Sequence, residues 1–198
     1  GAREILIAYN VNLSTNDKSI ANKIAGTVRT SGIIKKDTEG NKIIGANGKP
    51  ERIPGLFKGV QAGGMMYNEN IAQVSMNLLN YKEVNLHHVY DAISKEAQKH
   101  NISVSGSEIV GLVPEEARIT AVNLYTKKPE THTNQDLVTI AIEHVGLNDL
   151  YPFNTNEKII EYMITDQGKL ACMPITTFLN ELASKSPAPG GGSVAALA

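Results

Sequence analysis

Two segments of this chain repeat with a strict period of two. In residues 4–13, Ile5, Ile7, Tyr9, Val11 and Leu13 fall on one side, and Ala8, Asn10 and Asn12 on the other. In residues 71–81, Ala72, Val74, Met76 and Leu78 oppose Gln73, Ser75 and Asn77. Successive side chains of a strand point to opposite faces, so each segment is a strand with one apolar and one polar face. Such a strand needs a layer packed on its apolar side only.

The intervening segments supply that layer. Ser14 to Asn16 offers N-cap candidates for a helix carrying Ile20, Ile24 and Val28, with Gly32 as its stop. Asn85 caps a second helix with Leu86, Val89, Tyr90, Ile93 and Ala97 as its stripe. Two more strands are expected, one over 56–67 with Gly63-Gly64 as a bulge or close approach, one over 102–113. Residues 33–54 are polar and rich in turn residues. They read as an exposed insertion, with Ile43-Ile44 as a small hairpin strand. The order is βαββαβ, which predicts an α+β, ferredoxin-like antiparallel sheet with both helices on one face.

Beyond this core of about residues 1–113 the pattern turns helical. Pro114 opens a third helix, with Glu115 and Glu116 near its positive end. Helical spacing continues over 114–126 and 134–145, closed by Gly146, and a short helix is expected over 157–163. Residues 165–174 read as a linker, and a new helix begins near Ile175 to Thr177 with Phe178, Leu179 and Leu182. After it, Gly190-Gly191-Gly192-Ser193 leads into another apolar segment. This is either a plain flexible connection or an anion-binding turn at a helix start.

If the two alternating strands are neighbours, Asn10, Asn12, Gln73, Ser75 and Asn77 form one polar patch on the open sheet face. Amides and hydroxyls donate and accept, so the patch suits a polar ligand; an ordinary solvated sheet face has the same pattern. Glu108 is a carboxylate in an apolar run, either functional or simply at the sheet edge. His87 and His88 are adjacent on a helix and do not share a face, so they make a poor metal pair and are expected at the surface or an edge. His100 and His144 lie near helix ends and His132 in a polar turn. No histidine has a Cys or carboxylate at metal-ligand spacing, so no metal is expected. Cys172 has no basic or catalytic neighbour in sequence.

Composition narrows the function classes. The net charge of -1 gives no electrostatic case for nucleic acid or an anionic membrane. No apolar run approaches the ~18 residues of a membrane helix, and no secretory leader is seen. A single cysteine fits a reducing, cytoplasmic setting. Both ends look cut, so the chain is expected to be a fragment.

Four motifs carry a family resemblance. Leu6-Ile7-Ala8-Tyr9-Asn10-Val11-Asn12-Leu13, Ile71-Ala72-Gln73-Val74-Ser75-Met76-Asn77-Leu78 and Gly106-Ser107-Glu108-Ile109-Val110-Gly111-Leu112-Val113-Pro114 resemble the C-terminal subdomain of glutamate formiminotransferases. Phe178-Leu179-Asn180-Glu181-Leu182-Ala183-Ser184 with Pro187-Ala188-Pro189-Gly190-Gly191-Gly192-Ser193-Val194 is similar to the opening of cyclodeaminases and of methenyl-folate cyclohydrolases. The order implies the bifunctional formiminotransferase-cyclodeaminase family. Residues 1–164 would be the transferase subdomain, 165–174 the linker, and 175–198 the start of an all-α cyclodeaminase domain. Two departures are the long 33–54 segment and Met65, which stands where the family's pattern leads one to expect an aromatic.

The resemblance implies transfer of a formimino group from N-formimino-L-glutamate to N5 of tetrahydrofolate in histidine degradation, then ring closure with release of ammonia. It implies tetrahydrofolate as acceptor substrate, a preceding transferase subdomain as partner, and a homo-oligomer. The family's catalytic His lies in that preceding subdomain, so no catalytic role goes to any histidine here and the fragment alone is expected to be inactive. Asn10, Asn12, Gln73, Ser75 and Asn77 are the expected folate-binding residues. The rival readings are a non-catalytic ferredoxin-like ligand-binding module and a cyclohydrolase fragment.

Overall fold

The computed structural model describes residues 5–117, 139, 142–165 and 175–184. Strands β1 (Ile7–Leu13), β4 (Val60–Met66), β5 (Ala72–Leu78) and β6 (Val104–Val110) form one sheet in the order β4-β5-β1-β6. The three pairings are all antiparallel. Helix α1 (Lys18–Val28) lies over β4 and β5, and helix α2 (Leu86–Lys99) packs on β1 and β6. This is the ferredoxin-like α+β arrangement that the two alternating segments imply.

The alternation of β1 is reproduced side chain by side chain. Ile7, Tyr9, Val11 and Leu13 have no exposed surface, and they pair in register with Leu78, Met76, Val74 and Ala72 of β5. With Ala21, Ile24, Ala25 and Val28 of α1 and Val89, Ile93 and Ala97 of α2 they make one core. Each large aliphatic side chain so buried contributes about 1.5–3 kcal/mol. Ile5 precedes the strand and is exposed.

Boundaries move where local hydrogen bonds override periodicity. The cap of α1 is Asp17, one residue past the expected Ser14–Asn16, with Oδ1 accepting from Ser19 N at 2.7 Å. Hydrogen bonds from the Ser19 side chain, and then from its backbone N–H, hold the Asp17 carboxyl below the usual carboxylate range. Leu56 and Phe57 do not join β4, because their N–H groups cap the end of α1 at Thr27 O and Val28 O. In the 33–54 insertion the paired strands lie at its two ends, β2 (Ile33–Ile34) with β3 (Arg52–Ile53). Ile44 contributes only a single bridge, to Pro50. Further along the chain stand α3 (Thr155–Lys158), α4 (Ile160–Thr165) and α5 (Ile175–Leu182). The first two divide the expected 157–163 helix at Ile159, which leaves helical geometry and bridges to Val113.

The expectation for His87 is corrected. His87 is buried, not at the surface. It shares a flank of α2 with Tyr90 and Asp91 at helical spacing, and residues 142–147 meet that flank through His144, 3.3 Å from Asp91 Oδ1. His88 Nδ1 accepts from Asn85 N, closing a reciprocal cap with the Asn85 side chain.

The Gly63-Gly64 pair makes no bulge, since β4 keeps unbroken register with β5. A close approach explains Gly64: a Cβ there would run into the backbone of Ala21 and Asn22 in α1, and its N–H donates to Asn22 Oδ1 at 3.0 Å. A Cβ on Gly63 would meet nothing within 4 Å.

Two outcomes follow for stability. Gly64→Ala should lower the unfolding free energy by about 1–3 kcal/mol and Gly63→Ala by less than about 1 kcal/mol, compared by denaturant titration; equal losses would contradict the close packing. Burial pushes the His87 pKa down from 6.5 to about 4, so on acidification the unfolded chain takes that proton first. The His87 contribution is therefore complete above about pH 6.5 and lost as the pH falls toward about 4. Over that window His87→Leu should flatten the decline in stability relative to the wild type. Identical slopes in the two proteins would show that His87 is not held neutral.

Candidate functional site

Register places the polar residues of the open face in rows. Gly63, Ser75, Asn10 and Glu108 stand in one row across the four strands, and Met65, Gln73, Asn12 and Gly106 in the next. Gln61, Asn77, Ala8 and Val110 form a third. All five residues singled out by the alternation thus share this face.

They do not share an environment. Asn10, Asn12 and Gln73 are buried, with Asn12 fully enclosed, while Ser75 and Asn77 are partly open. Asn10 Nδ2 donates to Glu108 Oε1 at 3.0 Å, and Gln73 Nε2 donates to the same oxygen at 3.0 Å. Gln73 Nε2 also donates to Asn12 Oδ1 at 2.7 Å. Among the described residues Asn12 Nδ2 has no acceptor. Ser75 and Asn77, with Gln61, Gly63 and Met65, line a shallow cavity of about 260 Å³. Gly63 keeps this cavity open because it has no side chain to fill it.

Glu108 is at the sheet edge and at the centre of the polar network at once. Tyr151 closes its outer side, donating from its hydroxyl to Glu108 Oε2 at 3.3 Å. Partial burial and the nearby carboxylate push the Tyr151 phenol above its usual range, which keeps the proton on the donor. Tyr151 carries no periodic signal in sequence. It reaches this face because residues 145–150 wrap the edge of β6. Ser107 N donates to Gly146 O, the Ser107 and Tyr9 hydroxyls donate to Val145 O, and any side chain at Gly106 would collide with Leu150 and Asp149. Gly106 also has φ 139°, which L side chains rarely adopt.

Met65, at the β4 end of the second row, and Tyr67, just past β4, are exposed. No three His, Cys, Asp or Glu side chains gather as a metal site among the described residues. No described helix is long and apolar enough to cross a membrane. His132, Cys172 and the Gly190–Gly192 turn lie outside the described residues.

The open antiparallel face thus combines a carboxylate-centred amide network with partly open hydroxyl and amide groups, the chemistry a polar molecule would need. Comparison with known proteins says of which lineage. A formiminotransferase domain model matches residues 8–165. The chain belongs to the formiminotransferase family. A formiminotransferase-cyclodeaminase model matches residues 174–198. The chain is 41% identical to a formimidoyltransferase-cyclodeaminase of Dictyostelium discoideum over its whole length and 39% identical to one of Sus scrofa over 99% of it. It is 36% identical to a glutamate formimidoyltransferase of Streptococcus pyogenes serotype M1 over 63% of its length. This family member spans only about a third of those relatives, 35%, 34% and 35% respectively.

The burial contrast separates residues that hold the face from residues that present it. Gln73→Leu leaves both Asn12 and Glu108 short of a donor and should destabilise the fold by about 1–3 kcal/mol. Asn77→Ala, on a partly open side chain, should cost less than about 0.5 kcal/mol. Chemical denaturation of the two variants checks the contrast, and a Gln73→Leu variant as stable as the wild type would contradict it.

Proposed function

We propose that this chain is part of a folate-dependent glutamate formimidoyltransferase fused to a formimidoyltetrahydrofolate cyclodeaminase, and that the open sheet face forms one wall of its folate site. The observation that carries the reading is the row of Gly63, Ser75, Asn10 and Glu108, with a cavity over its Gly63–Ser75 end and an amide network at its other. Family membership and the relatives' names support the reaction class.

In this reading residues 1–164 belong to the transferase, 165–174 link, and 175–198 begin the cyclodeaminase. The match to a relative named for the transferase alone covers 63% of the chain, whereas relatives named for both activities match all or nearly all of it. The transferase passes the formimino group of N-formimino-L-glutamate to N5 of tetrahydrofolate, in histidine degradation in the cytoplasm. The general acid/base comes from a preceding subdomain that faces this sheet, and the assembly is a homo-oligomer. This chain binds and orients rather than transferring protons. Asn10, Ser75 and Asn77 offer hydrogen bonds to the folate, and Asn12 and Gln73 complete the wall from beneath. The open strip of Gly63 and Met65 admits a flat ring.

The test is calorimetric titration of the full-length protein with 5-formyl-tetrahydrofolate, a stable mimic of the one-carbon product. Saturable binding is expected, weakened at least about tenfold by Asn10→Ala or Asn77→Ala, the loss of one good hydrogen bond. Undiminished affinity in both variants would remove this face from the site.

A further inference from the structure

We propose that Glu108 is a positioning residue that fixes which way the amides of the folate wall point, and so makes that wall an acceptor surface for a ligand edge rich in N–H donors. The inference rests on the placement of the folate site on this face.

A carboxylate accepts hydrogen bonds and donates none, whereas an Asn or Gln amide can turn either end toward a neighbour. Glu108 removes that freedom. Its Oε1 receives Asn10 Nδ2 and Gln73 Nε2, both at 3.0 Å. Turning either amide over would set a carbonyl oxygen against a carboxylate oxygen. The constraint then travels one residue further. With the Gln73 NH2 committed to Glu108, the 2.7 Å neighbour of that NH2 on Asn12 has to be the carbonyl oxygen Oδ1. One acceptor-only group therefore sets three amides, and it explains why Asn12 Nδ2 ends up enclosed with no acceptor among the described residues. A network free to choose would turn Asn12 to satisfy that donor.

The consequence for a ligand is directional. In a planar amide the oxygen and the NH2 point apart. Asn10 and Gln73, with NH2 groups turned to Glu108, keep Oδ1 and Oε1 on the side away from it. The Asn10 carbonyl is then held as an acceptor beside the open Ser75 and Asn77 before any ligand arrives, with Gln73 and Asn12 fixing it from beneath. The complementary chemistry is a ring edge with adjacent N–H donors, such as an aminopyrimidinone. Tyr151 caps the second carboxylate oxygen at 3.3 Å, so Glu108 is turned inward to the amides rather than outward to the ligand.

The decisive property is the reach of an oxygen acceptor, not negative charge. A Gln at this position can still place its carbonyl oxygen on Asn10 and Gln73 and turn its NH2 to the Tyr151 oxygen. An Asp keeps the charge but withdraws it by one methylene from both amides. The experiment is titration of the full-length protein with 5-formyl-tetrahydrofolate, together with steady-state kinetics in tetrahydrofolate, for Glu108→Gln, Glu108→Asp and Glu108→Ala. Glu108→Gln is expected to stay within about threefold of wild-type affinity, while Glu108→Asp and Glu108→Ala weaken it about tenfold or more. The loss should sit in KM, with kcat within about threefold, because Glu108 touches the amides and not the reacting atoms. Should Glu108→Ala fail to fold, the order of the Gln and Asp variants decides alone. The reverse order, with Asp near wild type and Gln weak, overturns the inference by showing that charge is what counts. Equal affinity in all variants overturns it as well. If Asn10→Ala and Asn77→Ala weaken binding in either of those cases, the folate wall stands and only the role of Glu108 falls. If those two variants also bind normally, the wall itself is wrong and the inference goes with it.

Discussion

Everything described here depends on the register of the central strand β1. It is hydrogen-bonded on both sides, to β5 and to β6. A slip of one residue against either neighbour would turn Ile7, Tyr9, Val11 and Leu13 outward and drive Asn10 and Asn12 into the apolar layer. Four wholly buried apolar side chains oppose that slip, at about 1.5–3 kcal/mol each. The same constraint delivers the polar face. Asn10 is brought opposite Ser75 on one side and Glu108 on the other because Tyr9 and Val11 are locked into the core. Packing energy on one side of the sheet is what buys positional accuracy on the other.

The polar face in turn has two kinds of residue. Those toward β6 are enclosed and mutually bonded, and those toward β4 line an open cavity. The division follows the asymmetry of the fold. At the β6 edge residues 145–150 fold over the strand, while at β4 no described residue covers the open face, which carries Gly63 and Met65, with Tyr67 just past the strand. In the proposed folate wall, the mutually bonded half would fix orientation and the open half would admit the ligand.

Much of this was legible in the sequence, for definite reasons. Alternation in two short segments gave the sheet, its covered face and five residues of its open face, because a period of two leaves no choice of side. The family likeness of the same segments agrees with the matched families. What stayed hidden depends on contacts between distant residues. Tyr151 meets Glu108 across 43 positions, a pairing no local pattern carries. His87 is buried on a flank of α2 that His144, more than fifty residues away, meets at Asp91, so helical spacing alone does not reveal its burial. Glu108 looked ambiguous because edge position and functional position coincide. In the insertion only the ends form paired strands, while Ile43 and Ile44 join through single backbone bonds and an isolated bridge, too short a pairing for local pattern to separate from a hairpin. Asp17 replaced the earlier caps through a bond two residues ahead, a choice among neighbouring polar residues that composition does not rank.

The strap of residues 145–150 couples parts of the molecule that lie on opposite sides of the sheet. Val145 O holds hydroxyls from the core side, Gly146 O occupies the free edge of β6, and Tyr151 just beyond it clips the carboxylate on the open side. These attachments fall within one short stretch of chain, from Val145 to Tyr151, the kind of segment that can open as a unit. Opening of this segment would therefore expose the β6 edge and release the Tyr151 contact with Glu108 together.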